Sequence, residues 1–370
     1  MGCWAGWDHG KDYERGEPNS LQGVGMTSYI ILLNWNGWKD TIECLESVFR
    51  LKADDFTVVV CDNASTDGSL DRLKDWARGE LQSAASNPQL SALSSPPVLK
   101  PISYLELTRE EAESSGQIPV VPLVFIQTGA NLGYAGGNNV GLRYALRDER
   151  AQLFWLLNND TVVDPNALTA IIQYMQGHPR VGLCGSLNLS YSAHRETLAY
   201  GGGVYNRWTA RTAKTEQGAS RSLSRAPARL DFISGASMLA SRSFLREIGL
   251  MEESYFLYFE EHDWAARSKG IFDLGYAGDS IIYHKEGMSI GSNRNREMRS
   301  LLSEKYLSRN RLLFTRRFFP LALPTVMMTV TATAIYWLVR GNADRARVML
   351  SSMFGGLQNI ARTANPDFRC

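Results

Sequence analysis

The sequence predicts an α/β fold: a mainly parallel sheet with helices on both faces, followed by a helical carboxy-terminal tail. Three observations carry the prediction. Short apolar runs alternate with segments of helical periodicity. The runs are continuous rather than alternating, as expected for strands covered on both faces. After residue 293 the chain turns basic and then uncharged.

The elements follow in order. Residues 28–34 form the first apolar run, and 38–50 read as a helix with Thr41, Leu45 and Val48 near helical spacing. Residues 56–61 repeat the buried-strand pattern and end at Asp62, and 70–77 are again helical. A strand over 123–127, a helix over 138–147 and a strand over 153–157 continue the rhythm. Such alternation implies right-handed crossovers. Residues 79–122 interrupt it, first rich in Ser and Pro and then acidic. They read as a surface insertion, a passive loop in preference to a lid. Asp164 followed by Pro165 reads as the N-cap and first residue of the next helix.

Composition sets limits. A chain of 370 residues suits roughly two to two and a half domains. With 44% hydrophobic residues and 39 basic against 38 acidic side chains, it is neither disordered nor a protein that coats nucleic acid. The five cysteines are scattered with no Cys-x-x-Cys pair and read as free thiols of a cytosolic protein. The first 25 residues carry mixed charges and no apolar core, so they are not a secretory signal. Residues 1–26 read as a disordered extension or a mis-called start.

Three apolar strands end in polar groups: Asn34 and Asn36, Asp62 and Asn63, then Asn158, Asn159 and Asp160. Any one could cap a turn. In a parallel sheet, however, all three fall along the carboxyl edge, where ligands bind. Asp160 stands where a hard cation could bridge it to a diphosphate. The stretch containing Asn131, Gly133, Gly136, Gly137, Asn138 and Asn139 is a glycine-rich loop running into a helix, able to approach phosphate. It lacks the dinucleotide spacing Gly-x-Gly-x-x-Gly, which disfavours a dehydrogenase. Glu260, Glu261 and Asp263 follow an aromatic run whose surroundings would desolvate a carboxylate, as suits a general base. A solvated helix start explains the same acids. His284 is one of five histidines, and a lone histidine is usually a packed residue.

These motifs, in this order, resemble the inverting family 2 glycosyltransferases of GT-A fold, and especially their rhamnosyltransferase-like branch. The similarity runs over residues 27–317. It implies a Rossmann-like sheet with a nucleotide-sugar-binding half over 27–180, including the insertion 79–122. An acceptor-binding and catalytic-base half would occupy 181–293. It further implies that Asn34, Asn36, Asp62, Asn63, Asn131, Gly133, Gly137, Asn138 and Asn159 surround the donor. Asp160 and His284 would hold Mg2+ or Mn2+ on the diphosphate, with Asn158 replacing the first acid of the family's Asp-x-Asp motif. Glu261 aligns with the base, and Asp263 and Glu260 compete with it. The expected donor is dTDP-L-rhamnose. The alternatives are UDP-hexose or UDP-galactofuranose, or a non-catalytic nucleotide-sugar-binding protein. The expected acceptor is a hydroxyl of a glycan or a polyprenyl-diphosphate-linked chain.

The tail, residues 294–370, begins with eight basic residues against Glu297 and Glu304, then 22 uncharged residues over 318–339. As a helix they could cross a hydrocarbon core of roughly 30 Å. Pro320 and Pro324 interrupt the first turns, and arginines flank both ends, so neither direction of a single span is favoured. The expectation is therefore peripheral, in-plane attachment to the inner face of the cell membrane from the cytoplasm, with a spanning helix second.

Overall fold

The apolar runs do form the strands of one sheet. The computed structural model describes residues 27–82, 85–116, 118–214, 229–286 and 299–362, with side chains as far as 353. The expected extension 1–26 lies outside the described residues. The first half contains β1 (Thr27–Asn34), α1 (Trp38–Val48), β2 (Phe56–Asp62), α2 (Ser69–Arg78), β3 (Tyr104–Thr108) and α3 (Arg109–Glu113). It continues through β4 (Leu123–Gln127), α4 (Gly133–Leu146), β5 (Ala151–Asn158), β6 (Thr161–Val163) and α5 (Ala167–Gly177). Five strands follow: β7 (Val181–Ser190), β8 (Thr197–Tyr200), β9 (Gly202–Asn206), β10 (Arg211–Lys214) and β11 (Phe232–Ile233). Then come β12 (Ser237–Ser241), α6 (Arg242–Ile248), α7 (Glu260–Ser268) and β13 (Asp273–His284), and finally α8 (Leu301–Phe318), α9 (Leu323–Val339) and α10 (Ala343–Arg362).

The main sheet has the order β3-β4-β2-β1-β5-β12-β7-β13-β6, with β8 added to β7. Its β3, β4, β2, β1 and β5 are mutually parallel, β13 is parallel to β7, and β12 and β6 run against their neighbours. Successive residues of β1 enter opposite cores: Ile30 and Leu32 join Val58, Val60 and Trp76, while Tyr29 and Ile31 join Val140, Phe154 and Trp264. A fully buried parallel strand needs apolar residues on both faces, which explains the continuous runs. Cys44, Cys61 and Cys184 are buried free thiols.

Register aligns the polar ends. Asn34 lies opposite Asp62, Asp62 opposite Gln127, and Leu33 opposite Asn158. At the far end of the same edge, His284 lies opposite Thr161 and Ser190. Long-range pairing thus carries His284 to the residue beside Asp160.

Four expectations are corrected. The insertion 79–122 is more than a passive loop, since Tyr104–Thr108 forms the edge strand and the acidic stretch forms α3, capped reciprocally by Thr108 and Glu111. The helix expected over 138–147 begins at Gly133, so Gly136 and Gly137 are helical rather than looped. They are small because a Cβ on Gly137 would stand 2.3 Å from Leu33 Cδ1, and one on Gly141 would stand 2.8 Å from Ile31 Cγ2. Asp164 is not the cap of the next helix: it closes a turn by accepting from Asn166 N at 2.9 Å, and the helix starts at Ala167. Lastly, α8 packs against the segment that leads into α7, where Phe314 joins Tyr255 and Phe259 in one apolar cluster.

Candidate active site

Asp62 is the centre of the first cluster. It is 6% exposed, and its Oδ1 accepts from Asn34 Nδ2 at 2.7 Å and from Ser65 Oγ at 2.6 Å. Asn34 also accepts from Thr41 Oγ1 at 2.8 Å, so it orients Asp62 rather than facing a ligand. Asn36 adopts a left-handed φ of 51°, a conformation asparagine tolerates, and its side chain accepts from Thr66 N at 2.7 Å. Asp62, Ser65, Asp71, Lys74, Gln127 and Gly129 line a cavity of about 450 Å³ at the carboxyl edge.

Asn63 is a clamp. Its Oδ1 accepts from Leu132 N at 3.0 Å, while its Nδ2 donates to Asn131 Oδ1 at 3.0 Å and Gly133 O at 3.2 Å. Gly133 has φ +72°, and a Cβ there would lie 2.2 Å from Phe256 O. Asn138 bonds back to Tyr134 O at 2.9 Å, and Asn159 donates to Thr41 Oγ1 at 2.9 Å. Asn34, Asn63, Asn131, Gly133, Gly137 and Asn138, predicted to surround the donor, are thus committed to shaping the strand ends. Asn139, which the sequence reading left unused, donates to Met251 O and Glu253 Oε1, each at 2.9 Å. It fixes the segment leading to the carboxylates.

The second cluster joins Asp160, His284 and Asn158. His284 Nε2 lies 3.0 Å from Asp160 Oδ1 and 3.5 Å from Asn158 Nδ2. Lys285 N donates to Asp160 O at 2.9 Å, and its Nζ is held by Asp40 at 2.6 Å and Glu43 at 2.7 Å. Among the described residues no group of three or more His, Cys, Asp or Glu could hold a metal ion. Asp160 nevertheless offers the carboxylate oxygen that a hard cation takes alongside diphosphate and water, and His284 adds a nitrogen donor better suited to a softer ion than Mg2+.

The third cluster stands at the start of α7. Three non-glycine residues before or at its N-cap have positive φ: Phe256 at 65°, Tyr258 at 68° and Phe259 at 78°. Such strain persists only where surroundings impose it. Asn310 of α8, fully buried, supplies the constraint: its Nδ2 approaches Tyr255 O, Leu257 O and Tyr258 O at 2.8–2.9 Å. Spacing in the sequence gave no signal for Asn310. Glu260 is 3% exposed with Oε2 unbonded, and burial, then the charge of Glu261, raises its pKa well above the ordinary carboxylate range. Glu261 is half-buried, with Oε1 3.3 Å from His262 Nδ1 in ion-pair reach but without hydrogen-bond alignment. Tyr134 connects the clusters. Its hydroxyl donates to Gly235 O at 2.6 Å, and its pKa is raised by burial and by the charges of Glu260, Glu261 and Asp160.

The structure gives Asp263, a predicted catalytic residue, a different occupation. It is fully buried and bonded to Arg267 at 2.6 Å, Arg317 at 2.8 Å and Tyr255 at 3.2 Å. A carboxylate surrounded by two guanidinium groups ties α7 to α8 and has no route to a substrate. Arg317 is therefore also spent inside the fold, as are Arg309, on Ser254 O, and Arg345, on Glu304. Arg294, Arg296 and Glu297 of the predicted basic stretch lie outside the described residues.

The family model for "Glycosyltransferase like family 2" matches residues 108–300, and that for "Glycosyl transferase family 2" matches 29–85. The chain belongs to glycosyltransferase family 2. It is therefore a glycosyltransferase, and the non-catalytic reading is set aside. This glycosyltransferase is 24% identical over 258 residues to the low-salt glycan biosynthesis hexosyltransferase Agl10 of Haloferax volcanii, covering 66% of this chain and 78% of that one. Among solved structures it is similar to the mannosyltransferase PcManGT of Pyrobaculum calidifontis in complex with GDP-Man and Mn2+. There the identity is 14%, coverage is 91% of this chain and 87% of that one, and the TM-score is 0.47. It is also similar to TarS 1-349 of S. aureus in complex with UDP-GlcNAc, with 13% identity, coverage of 90% and 81%, and a TM-score of 0.49.

Proposed function

We propose that this glycosyltransferase moves a hexose-type sugar, in one inverting displacement, from a nucleotide-diphospho-sugar to a hydroxyl of a lipid-linked or surface-glycan acceptor. The observation that carries the reading is the convergence of three clusters on one sheet edge, with Tyr134 feeling the charge of both the Asp160 and the Glu260–Glu261 groups. In this reading the Asp62 cavity takes the nucleoside. Asp160 and His284 would hold Mg2+ or Mn2+, which when bound offsets the charge of the diphosphate. Glu261, the more accessible of the paired glutamates, accepts the acceptor hydroxyl proton as that oxygen attacks the anomeric carbon. Glu260 keeps its own proton in its buried site and leaves the pair with one negative charge. Strain in the 256–259 segment, held by Asn310, aims the pair at the crevice.

The donor we place first is dTDP-L-rhamnose, ahead of UDP-hexose and UDP-galactofuranose. The motif order of the rhamnosyltransferase-like branch supports it, and the hexosyltransferase name of the relative from Haloferax volcanii supports a hexose class. Peripheral membrane attachment is supported by α9. Its Val326, Val330, Ala334 and Trp337 side is buried, while Met328, Ile335 and Val339 on the opposite side are 64%, 55% and 84% exposed, as is Leu321 of the preceding turn at 88%. Among the described residues, Pro320–Val339 is the one stretch long and apolar enough to cross a membrane, but one side of it is already covered by protein. An apolar stripe lying in the interface fits that division.

Thermal unfolding with a panel of sugar nucleotides, with and without Mg2+ or Mn2+, tests the donor. A bound ligand raises stability as RT ln(1 + [L]/Kd). The expected result is a metal-dependent rise with one nucleotide diphosphate sugar, and no rise with any of them overturns the reading. Glu261→Gln is expected to abolish transfer while retaining that thermal rise.

A further inference from the structure

A further cavity lies beside α7, distinct from the Asp62 cavity. It has a volume of about 630 Å³ and sits between the second half of α7, the turn after β9, the start of β13 and the end of α8. That size suits a small-molecule site. Its walls are largely aromatic, contributed by Trp208, Phe272, Phe314 and Phe319.

Three features distinguish it from a packing defect. His262 forms part of the wall, is 5% exposed, and has no hydrogen-bond partner on either ring nitrogen. It is stacked on Phe232 with ring centroids 3.9 Å apart, so an imidazole is held rigidly with its polar capacity unused. An unpaired polar group in an aromatic wall is costly unless something uses it. Second, the carboxylates at the rim are already neutralised: Asp231 by Arg229 at 2.7 Å and Asp273 by Arg180 at 3.0 Å. Arg207 and Lys269 are exposed, and among the described residues these two cations of the rim have no acidic partner. Third, the cavity adjoins the apolar helix. Thr325 Oγ1 at the start of α9 donates to Trp208 O at 2.8 Å, and Trp208 itself is 48% exposed.

We propose that this cavity is a binding site for a phosphate ester carried on an apolar chain. Arg207 and Lys269 receive the anionic head, and the aromatic walls with Trp208 receive the first part of the chain. A half-exposed tryptophan beside cations and an outward apolar helix face is the arrangement that suits the headgroup level of a lipid. The proposal goes beyond the transfer reaction and does not use the donor crevice. His262 makes the two sites neighbours, because its Nδ1 stands 3.3 Å from Glu261 Oε1 while its ring lines the cavity.

The test is isothermal titration of the full chain, without donor or vesicles, using decyl phosphate below its micelle concentration. Decyl maltoside supplies the chain without the anion, and inorganic phosphate supplies the anion without the chain. The expected result is saturable binding of decyl phosphate, at least tenfold weaker in Arg207→Ala/Lys269→Ala, with neither half-ligand matching it. Both substituted side chains are exposed, and an unchanged unfolding temperature of the double variant verifies that it folds. Equal affinity for decyl maltoside overturns the anionic site, and equal affinity for inorganic phosphate overturns the amphiphile. Undiminished binding by the double variant, or no binding of decyl phosphate, overturns the site itself. Because the donor panel above is read separately, failure here leaves the transferase reading standing.

Discussion

Lys285→Met is the sharpest probe of how the strand end carrying Asp160 and His284 is held. Lys285 and Glu43 are side chains of 9% and 3% exposure joined at 2.7 Å, with Asp40 at 2.6 Å on the other side of the ammonium. Burial pushes the Glu43 carboxyl up, but bonds from Lys285, Tyr191 and Ser86 outweigh it, and its pKa ends below the ordinary value of 4.5. Replacing the lysine leaves the burial and removes the cation. Breaking a buried pair from one side costs about 3–5 kcal/mol, because the surviving charge is uncompensated. The sign with pH follows. In the native protein this carboxylate contributes stability above its unfolded pKa and loses it as pH falls through the depressed folded value. In the variant burial dominates, the folded value exceeds the unfolded one, and stability is lost as pH rises through that interval. The deficit should therefore be greatest near neutral pH and shrink near about pH 4, as read by urea midpoints. Glu43→Gln combined with Lys285→Met should recover most of the loss, since removing both charges restores balance. A deficit below about 1 kcal/mol at neutral pH, or one independent of pH, refutes the argument. Lys285 N also donates to Asp160 O, so if the backbone shifts when the ammonium loses its two carboxylates, Mn2+ binding at the proposed site, measured by electron paramagnetic resonance, should weaken in parallel.

Three further outcomes follow from the third cluster and the α4 packing. Glu260→Gln should raise the unfolding temperature at neutral pH but not near pH 4, because the native group keeps a proton that the unfolded chain releases; equal gains at both pH values count against the raised pKa. Gly133→Ala must place a Cβ within 2.2 Å of Phe256 O at φ +72°, so a loss of about 3 kcal/mol with weakened transfer is expected from overpacking and backbone strain, measured by denaturant midpoint and turnover. Asn310→Leu removes the donor to three carbonyls and should lower kcat far more than it raises donor KM. An unchanged kcat would mean that the strained segment holds itself.

The sequence by itself determined the α/β alternation and the strands that compose the nucleotide half. Continuous apolar runs such as Ile30–Leu32 and Val58–Val60 have only one economical burial, between two helical layers. It also determined that polar residues gather at one edge, because parallel strands put every carboxyl end on the same side. Asp62, Asp160 and His284 lie along that edge. Tertiary structure decided the employment of those residues. The periodicity that marks a helix cannot show that Gly137 is small because Leu33 needs the space, or that Asn34 and Asn63 spend their hydrogen bonds on neighbouring loops. Nor can spacing separate Glu260, Glu261 and Asp263, which stand within four consecutive residues of the same motif in near-identical sequence surroundings. Burial against Arg267 and Arg317 made one a structural ion pair, desolvation raised the pKa of another, and the third was left partly open. Part of this comes from α8, more than forty residues further along the chain, whose Asn310 and Arg317 reach Tyr258 O and Asp263 only after the chain has folded back on itself.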